Sequence, residues 1–241
     1  MPLNLPLNVE QYKLFRDKKI EQFSLLSNQG HCNLNYLLIC ENQEYLIREF
    51  KLANNRVSEF KIQKIASKQK IGATPLFLDK QNGVMVSEFI KGVHKAKPNQ
   101  QELKKLALLI KKLHTLKLRQ KPNYLRQNFK FKDKKAIKAF VGLKAYKKEP
   151  VLCHNDLHGK NILFGKGVKL IDWEYSGIND RYFDLASICV EFKLSRRDRE
   201  TFLRVYFGRN KRVNQKKLAL YKVIYKELWR LWFLKLDRGE L

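Results

Sequence analysis

The chain has 241 residues, of which 44% are hydrophobic and 12% aromatic. This composition is typical of a globular protein with a sizeable core and excludes an intrinsically disordered chain. The formal net charge of +27 indicates an anionic partner, which can be a nucleic acid, an anionic membrane surface or a negatively charged substrate. Because the basic residues are spread along the whole chain, we favour an anionic substrate combined with a lysine-rich composition.

The four cysteines lie far apart and form no CxxC pair. This spacing argues against a disulfide framework or a structural zinc site and fits reduced cysteines in the cytoplasm. The N-terminal segment MPLNLPLNVEQYKLF has no basic region followed by an apolar core, so we expect no signal peptide. No apolar run approaches the roughly eighteen residues that a membrane-spanning helix needs, so we expect no transmembrane segment.

The first ninety residues predict a small antiparallel sheet preceded by a short helix over residues 8–23. Short apolar runs bounded by polar or glycine-containing turns indicate strands. A helix is predicted over residues 56–68, and an Asn-Gly pair at 82–83 predicts a hairpin turn. The five predicted strands cover residues 23–26, 34–40, 45–50, 76–78 and 84–86.

Beyond residue 90 the pattern is mainly helical. Apolar residues at helical spacing predict a helix over 101–116 and a long amphipathic helix over 215–236. The sequence therefore predicts an α+β fold with a small sheet domain, residues 1–90, and a larger, mainly helical domain, residues 91–241. Further helices are predicted over residues 135–147, 181–194 and 197–207.

The densest group of metal-binding and acid–base side chains lies in the segment VLCHNDLHGKNILFGKGVKLIDWEY, residues 151–175. It begins with a short apolar run that indicates a strand over residues 151–153. Two further apolar runs, 162–164 and 168–171, flank a glycine-rich turn and predict a β-hairpin centred on Lys166.

The predicted hairpin brings two polar side chains together at its open end. If it is symmetric, Asn161 lies opposite Ile171, and Asp172 falls beside Asn161 within the roughly 5 Å Cα spacing of paired strands. A carboxamide and a carboxylate side by side suit Mg²⁺, a hard cation that combines protein oxygens with substrate phosphates. Asp156 lies on the loop that leads into this hairpin.

The segments HNDLHGKN (154–161) and IDWEY (171–175) resemble the catalytic core of the kinase-like small-molecule phosphotransferases. This superfamily includes choline/ethanolamine kinases, thiamine kinases and aminoglycoside phosphotransferases. The two segments are most similar in sequence to the choline kinase branch, including its bacterial members. The resemblance is dense over residues 151–191 and extends in layout over nearly the whole chain. It implies a two-lobed protein-kinase-like fold, with a nucleotide-binding first lobe and a catalytic and acceptor-binding second lobe.

The resemblance also implies roles for residues of the second lobe in phosphoryl transfer from ATP. Asp156 is the expected base for the acceptor hydroxyl, and His154 is expected to brace the catalytic loop. Asn161 and Asp172 are expected to hold Mg²⁺ against the ATP phosphates. Asp184 matches an aspartate that anchors the catalytic loop.

In the first lobe, Arg48 matches a residue that contacts the α- and β-phosphates, and Glu59 on the following helix is expected to pair with it. The loop over residues 27–33 is expected to cover the phosphates. It contains only one glycine, Gly30, and so departs from a glycine-rich pattern. The segment implied to bind adenine through its backbone consists of Glu88, Phe89 and Ile90.

The acceptor must be inferred from aromatic and acidic residues late in the chain. A quaternary ammonium group is stabilised by aromatic faces, at roughly 0.5–2 kcal/mol per cation–π contact, and by a carboxylate. Choline kinases carry a similar pair of tryptophans near the C-terminus, so choline is the favoured acceptor. The candidate acceptor-binding residues are Tyr175, Tyr182, Glu191, Trp229 and Trp232.

Several alternatives stay open at the level of sequence. The acceptor can instead be thiamine, ethanolamine, an aminoglycoside or a lipopolysaccharide sugar, and core packing explains the two tryptophans equally well. Arg48 and Glu59 can form an ordinary surface ion pair. His154, Asp156 and His158 can be the ligands of a metallohydrolase. A non-enzymatic alternative is a nucleic-acid or anionic-membrane binding protein on a degenerate kinase fold, although the chain retains all three predicted catalytic and metal-binding residues.

Overall fold

The computed structural model describes residues 8–27, 29, 33–51, 56–119, 131–209 and 212–239. The chain forms two compact units, residues 1–91 and 92–241. Within the described part of the chain, no helix combines the length and the apolar character that crossing a bilayer requires.

The first unit is built on a five-stranded antiparallel sheet with the strand order β1-β2-β3-β5-β4. A single helix, α1 (Arg56–Lys68), follows β3, and both of its ends agree with the prediction. Alternating residues of the central strands, such as Leu38, Ile47 and Val86, are completely buried and form the core on one face of the sheet. The strands are β1 (Ile20–Leu25), β2 (Asn33–Cys40), β3 (Gln43–Phe50), β4 (Pro75–Asp79) and β5 (Val84–Glu88).

The helix predicted over residues 8–23 is wrong. Only a 3-10 turn forms there, at Val9–Gln11. Strand β1 begins at Ile20, which pairs with Cys40 of β2. The apolar residues of the preceding segment pack individually into the sheet core; the Phe15 ring, for example, lies 5.1 Å from that of Tyr45. Strand pairing and core burial therefore override the weak helical pattern.

The second unit is mainly helical. Its helices are capped by side chains at their N-termini, most completely at α2, where Asn99 and Glu102 form a capping box. Helix α3 gives way to a 3-10 turn at Leu143–Ala145, so it ends earlier than predicted. Helices α2 and α5 pack together, as do α4 and α6. The helices are α2 (Gln100–Leu113), α3 (Lys134–Gly142), α4 (Arg181–Glu191), α5 (Arg196–Phe207) and α6 (Gln215–Asp237).

Two small antiparallel strand pairs carry the polar segment of the second unit. Strand β6 (Pro150–Cys153) pairs with β9 (Gly177–Asp180), and β7 (Ile162–Phe164) pairs with β8 (Val168–Leu170). Strand β9 was not predicted, because its sequence Gly-Ile-Asn-Asp is typical of a turn. It pairs because its polar side chains are satisfied inside the protein; Asn179, for example, donates to Asn155 Oδ1 at 2.8 Å.

Candidate active site

The β7–β8 hairpin has the predicted symmetry. Ile162 pairs with Leu170 and Phe164 with Val168, and the Ile171 N–H donates to the Asn161 carbonyl at 3.0 Å. Asp172 follows directly and adopts the left-handed conformation with a φ of 64°. Aspartate tolerates this conformation better than most residues do. The chain therefore turns sharply out of the strand at the residue predicted to bind a metal.

The Asn161 carboxamide is fixed by two hydrogen bonds from its nitrogen. Nδ2 donates to the Asp156 carbonyl at 3.0 Å and to Asp156 Oδ2 at 2.8 Å. Because the nitrogen makes both bonds, the amide oxygen is the atom of Asn161 that can bind a cation. Together with the Asp172 carboxylate it provides oxygen donors of the kind that Mg²⁺ prefers.

The Asp156 carboxyl group lies in an environment that disfavours its ionised form. Burial and then the nearby charge of Asp172 raise its pKa to about 8, and the hydrogen bond from Asn161 opposes the increase. A carboxyl group whose pKa lies near neutrality is suited to exchange a proton with a substrate. A positive charge placed between Asp156 and Asp172 would remove much of this repulsion.

The loop that carries Asp156 is anchored by Asp184, a residue in the first turn of α4 to which the resemblance assigned this role. Its carboxylate is completely buried. It accepts backbone hydrogen bonds from His154 at 2.8 Å and Asn155 at 2.9 Å. It also lies 3.0 Å from His114 Nε2, and the other ring nitrogen of His114 contacts the Tyr206 hydroxyl at 2.6 Å. These bonds hold Asn155 in the left-handed conformation, with a φ of 68°, immediately before Asp156.

His154 lies beneath this loop and not at its surface. It is completely buried, its Nε2 donates to the Ile171 carbonyl at 3.0 Å, and its ring packs against Trp173 with centroids 4.8 Å apart. Burial lowers its pKa, so the ring is neutral. His154 therefore connects the loop that carries Asp156 to Ile171, the residue that follows strand β8.

The alternative metallohydrolase site does not form. Among the described residues, the one trio of potential ligands whose atoms converge within 4.8 Å is His114, Cys153 and Asp184. Cys153 Sγ lies 3.6 Å from each of two backbone carbonyls, and burial raises its pKa well above the usual range. The thiol is therefore protonated and donates hydrogen bonds, so this trio is part of the core.

In the first unit, Arg48 and Glu59 form the predicted ion pair, and the pair is buried rather than a surface contact. Arg48 Nη1 lies 2.9 Å from Glu59 Oε1, and the side chains are 7% and 1% exposed. A second arginine, Arg56, binds the other carboxylate oxygen at 2.9 Å. Asn35 and Asn33 complete the cluster by accepting from Arg48 Nε and Arg56 Nη2. Two guanidinium groups thus share one carboxylate.

The segment proposed to contact adenine is partly engaged in the sheet of the first unit. The Glu88 N–H donates to the Thr74 carbonyl at 2.9 Å and the Phe89 N–H to the Glu44 carbonyl at 3.2 Å. A nucleotide base held by residues 88–90 would therefore use other groups of this segment, including those of Ile90. Gly30, the glycine of the predicted phosphate loop, lies outside the described residues.

Three of the predicted acceptor residues, Glu191, Trp229 and Trp232, lie in one network with Asp156. The Tyr225 hydroxyl donates to Glu191 Oε1 at 2.9 Å, and the charge of Glu191 contributes to the raised pKa of Asp156. The Tyr225 and Trp229 rings have centroids 6.4 Å apart, and those of Trp229 and Trp232 are 5.6 Å apart. Burial raises the pKa of Glu191. An acidic and aromatic surface thus lies beside the candidate base.

Two tyrosines differ in position from these three residues. The side chain of Tyr175 is exposed, and its backbone carbonyl accepts a hydrogen bond from Asn155 Nδ2 at 2.9 Å. Tyr182 is buried in the core, where its ring lies 5.7 Å from that of Phe207 and its hydroxyl accepts from the Asn214 N–H. Tyr182 is therefore wrong as an acceptor contact.

Three features of the site were not predicted from the sequence: Arg56, Tyr225 and the contact of the His158 ring with Trp229, at a centroid distance of 5.4 Å. Arg56 lies three residues before Glu59, a spacing that places both on one face of α1 and could have indicated the second ion pair. Tyr225 precedes Trp229 by four residues and could have been grouped with it for the same reason. The contact between His158 and Trp229 joins residues far apart in the chain, and no local pattern predicts it.

The structure thus defines an α+β protein whose second unit combines a buried carboxyl group of raised pKa, neighbouring oxygen donors and an aromatic surface. A model of the phosphotransferase enzyme family matches residues 27–220. The match covers most of the chain, and the protein belongs to the phosphotransferase enzyme family.

Individual relatives agree with this assignment over parts of the chain. Protein LicA of Haemophilus influenzae is 36% identical over 104 residues, which make up 39% of this chain and 39% of LicA. A thiamine kinase of Salmonella heidelberg is 34% identical over 87 residues, 36% of this chain and 29% of the kinase. The matched region therefore spans less than half the length of these relatives.

A solved structure extends the similarity of the fold to nearly the whole chain. The choline kinase LicA from Streptococcus pneumoniae superposes with a TM-score of 0.76 over 92% of this chain and 87% of that protein, at 21% identity. The predicted kinase-like α+β fold is thereby confirmed.

Proposed function

We propose that the protein is an ATP- and Mg²⁺-dependent phosphotransferase that acts on the hydroxyl group of a small molecule, with choline as the favoured acceptor. The observation that carries the proposal is the contact between Asp156 and Asn161. It holds a carboxyl group of raised pKa beside a carboxamide whose oxygen can bind a cation. The Asp172 carboxylate adjoins both residues.

Each residue of this group has a role in the proposed reaction. Asp156 accepts or orients the proton of the acceptor hydroxyl, so that the hydroxyl oxygen can attack the γ-phosphate in line. Asn161 Oδ1 and the Asp172 carboxylate would hold Mg²⁺. Bound Mg²⁺ neutralises charge on the transferring phosphoryl group. Asp184 and His154 keep the loop in place while these contacts change.

The cluster of two arginines and one glutamate supports nucleotide binding by the first unit. Glu59 fixes both guanidinium groups by ion pairs of 2.9 Å, so little side-chain entropy is lost when a phosphate binds. Guanidinium groups match phosphate oxygens in charge and geometry. We assign this cluster to the ATP phosphates and residues 88–90 to the adenine.

Choline is favoured because the surface beside Asp156 combines aromatic rings with a carboxylate. Trp229 and Trp232 offer faces for a quaternary ammonium group, and Glu191 offers a negative charge. Tyr225 holds Glu191 in place through a 2.9 Å hydrogen bond. Tyr175, exposed on the segment after Asp172, is the fourth proposed acceptor contact.

One assay tests the reaction and the acceptor together. Purified protein is incubated with ATP and each of choline, ethanolamine, thiamine and an aminoglycoside, with and without Mg²⁺. We expect Mg²⁺-dependent transfer that is fastest to choline. Asp156→Ala should abolish turnover and retain ATP binding, because the substitution leaves the nucleotide cluster of the first unit unchanged. Turnover by Asp156→Ala near the wild-type rate would contradict the mechanism.

Thiamine is the second candidate acceptor, and the partial sequence match to a thiamine kinase favours it. Its cationic ring would also stack on Trp229 and Trp232, so the two tryptophans do not distinguish thiamine from choline. Faster transfer to thiamine than to choline in the same assay would establish this alternative. Steeply salt-dependent binding to DNA or RNA without ATP turnover would instead favour the non-enzymatic alternative.

The cytoplasm is the proposed location of this reaction. Cys40, Cys153 and Cys189 are buried free thiols, which suits a reducing compartment. We propose a small hydroxylated acceptor and ATP as the partners of the protein, and we do not assign it a nucleic-acid partner. Weak contact with an anionic membrane surface remains compatible with the net charge of +27.

A further inference from the structure

We propose that His158 is a positioning residue that fixes the distance between the base Asp156 and the aromatic surface of Trp229, and so selects acceptors by the spacing between their cation and their hydroxyl group. The inference rests on the proposed function and deepens it. It depends on three contacts of one imidazole ring, each with a different part of the site.

The first contact identifies the tautomer. His158 precedes the 3-10 turn Gly159–Asn161, and its Nδ1 accepts a hydrogen bond from the Lys160 N–H at 3.2 Å. Since Nδ1 is an acceptor, the proton of the neutral ring is on Nε2. Burial lowers the pKa of His158 to about 4, so the ring is neutral at physiological pH.

The second contact is with the base. His158 Nε2 lies 3.7 Å from Asp156 Oδ2, the same oxygen that accepts from Asn161 Nδ2 at 2.8 Å. The Asn161 N–H therefore makes a hydrogen bond to Oδ2, and the His158 ring lies near the same oxygen. This arrangement assigns the other oxygen, Oδ1, to the acceptor hydroxyl.

The third contact is with the aromatic surface. The edge of the His158 ring meets Trp229 with centroids 5.4 Å apart and planes at 87°. Trp229 in turn meets Trp232 at 5.6 Å. The imidazole therefore stands between the Asp156 carboxyl group and the rings proposed to hold the cation. Any displacement of this ring changes the distance between the two groups that the acceptor must reach at once.

A purely structural role as a helix cap can be separated from this positioning role by two substitutions. His158→Asn retains a side-chain acceptor of the kind favoured at N-terminal caps, but it removes the ring and the Nε2–H. His158→Phe retains an aromatic ring against Trp229, but it removes both nitrogens. If capping alone matters, only His158→Phe should be impaired.

The kinetic test compares choline with an analogue that has one additional methylene between the nitrogen and the hydroxyl group. For His158→Asn we expect kcat/KM for choline to fall about tenfold, because small misplacements of reacting groups cost rate steeply. The preference for choline over the longer analogue should shrink by a similar factor. The KM for ATP should stay within about twofold of wild type, because the nucleotide cluster is untouched. An unchanged preference between the two acceptors would overturn the proposal.

A measurement without turnover separates this proposal from the proposed function. In ¹⁵N-histidine NMR spectra of the wild-type protein, the resonances that disappear in His158→Asn identify this ring. We expect a neutral ring protonated on Nε2, and a proton on Nδ1 would overturn the positioning role. Absence of transfer to every acceptor, with the Nε2–H tautomer present, would contradict the proposed function and leave the contacts of His158 intact.

Discussion

At the scale of single residues, the site combines groups that the fold stabilises poorly. Asn155 and Asp172 both adopt the left-handed conformation, which costs free energy in residues other than glycine. Burial and then the like charge of Asp172 raise the pKa of Asp156. The buried Asp184 compensates by accepting bonds from two backbone N–H groups of the loop. The strain is concentrated where metal and substrate are proposed to bind.

The unfavourable ionisation of Asp156 predicts a substitution that stabilises the protein and removes its activity. The pKa of Asp156 is about 8 in the folded protein and near 4 in an unfolded chain. Between these values the folded state binds the proton more tightly, so ionisation destabilises the fold progressively as the pH rises from 4 to 8. Asp156→Asn removes the charge and should raise the melting temperature by about 2–4 °C at pH 8 or above.

The measurement is thermal unfolding of wild type and Asp156→Asn without metal at several pH values. The difference in melting temperature should vanish near pH 4 and reach its maximum above pH 8. Glu200→Gln is the matched control, because it also removes one carboxylate, but from an exposed pair with Arg196. A variant less stable than wild type at pH 8 would mean that the Asn161 contact outweighs the repulsion from Asp172.

At the scale of elements, the β7–β8 hairpin positions the two proposed metal ligands, and the segment before α2 supports the hairpin. Val93 pairs with Phe164 through hydrogen bonds of 2.8 and 2.9 Å. This pairing brings the Gly92 backbone close to β7. A Cβ atom at Gly92 would lie 2.9 Å from the Leu163 Cβ and 3.2 Å from the Phe164 carbonyl oxygen. Neither atom belongs to the flexible end of a side chain, so the hairpin itself would have to move.

Gly92→Ala should therefore destabilise the protein by about 1–3 kcal/mol, the usual cost of overpacking. It should also raise the Mg²⁺ concentration needed for half-maximal activity, because β7 begins directly after Asn161. The matched control is Gly167→Ala in the hairpin turn, where a Cβ atom meets nothing within 4 Å. Urea unfolding and Mg²⁺ titration compare the two variants. Equal stability of both would show that the Gly92 contact is relieved without movement of β7.

The elements also show what the sequence could predict. The β7–β8 hairpin and α1 were predictable, because a glycine-rich turn and helical apolar spacing are local signals. The N-terminal segment and β9 were not. Phe15 is buried by packing on Tyr45. Strand β9 pairs with β6, which is distant in the chain; Ile178, for example, pairs with Leu152. Asp156 and Asn161 lie in one short segment, so a local pattern could identify both. His158 and Trp229 are far apart in the chain, so no local pattern could predict their contact.

At the scale of the whole molecule, the net charge of +27 predicts how stability responds to salt. Several carboxylates already form ion pairs: Glu59 binds two arginines, and Asp180 binds Lys217 at 2.8 Å. The remaining positive charges repel one another, and this repulsion is relieved in the expanded unfolded chain. Added salt screens exposed charges much more than it screens buried pairs.

We therefore expect the melting temperature to rise when NaCl is increased from about 0.05 to 0.5 M, a range over which the Debye length falls severalfold towards the spacing of neighbouring side chains. Sucrose at matched osmolality is the control for effects of the cosolute that do not depend on charge. ATP without metal should stabilise the protein most at low salt, because its phosphates then meet the full excess of positive charge. A melting temperature that falls with NaCl would show that surface ion pairs stabilise the protein more than the net repulsion destabilises it. The net charge would then need another explanation, namely an anionic partner larger than a nucleotide.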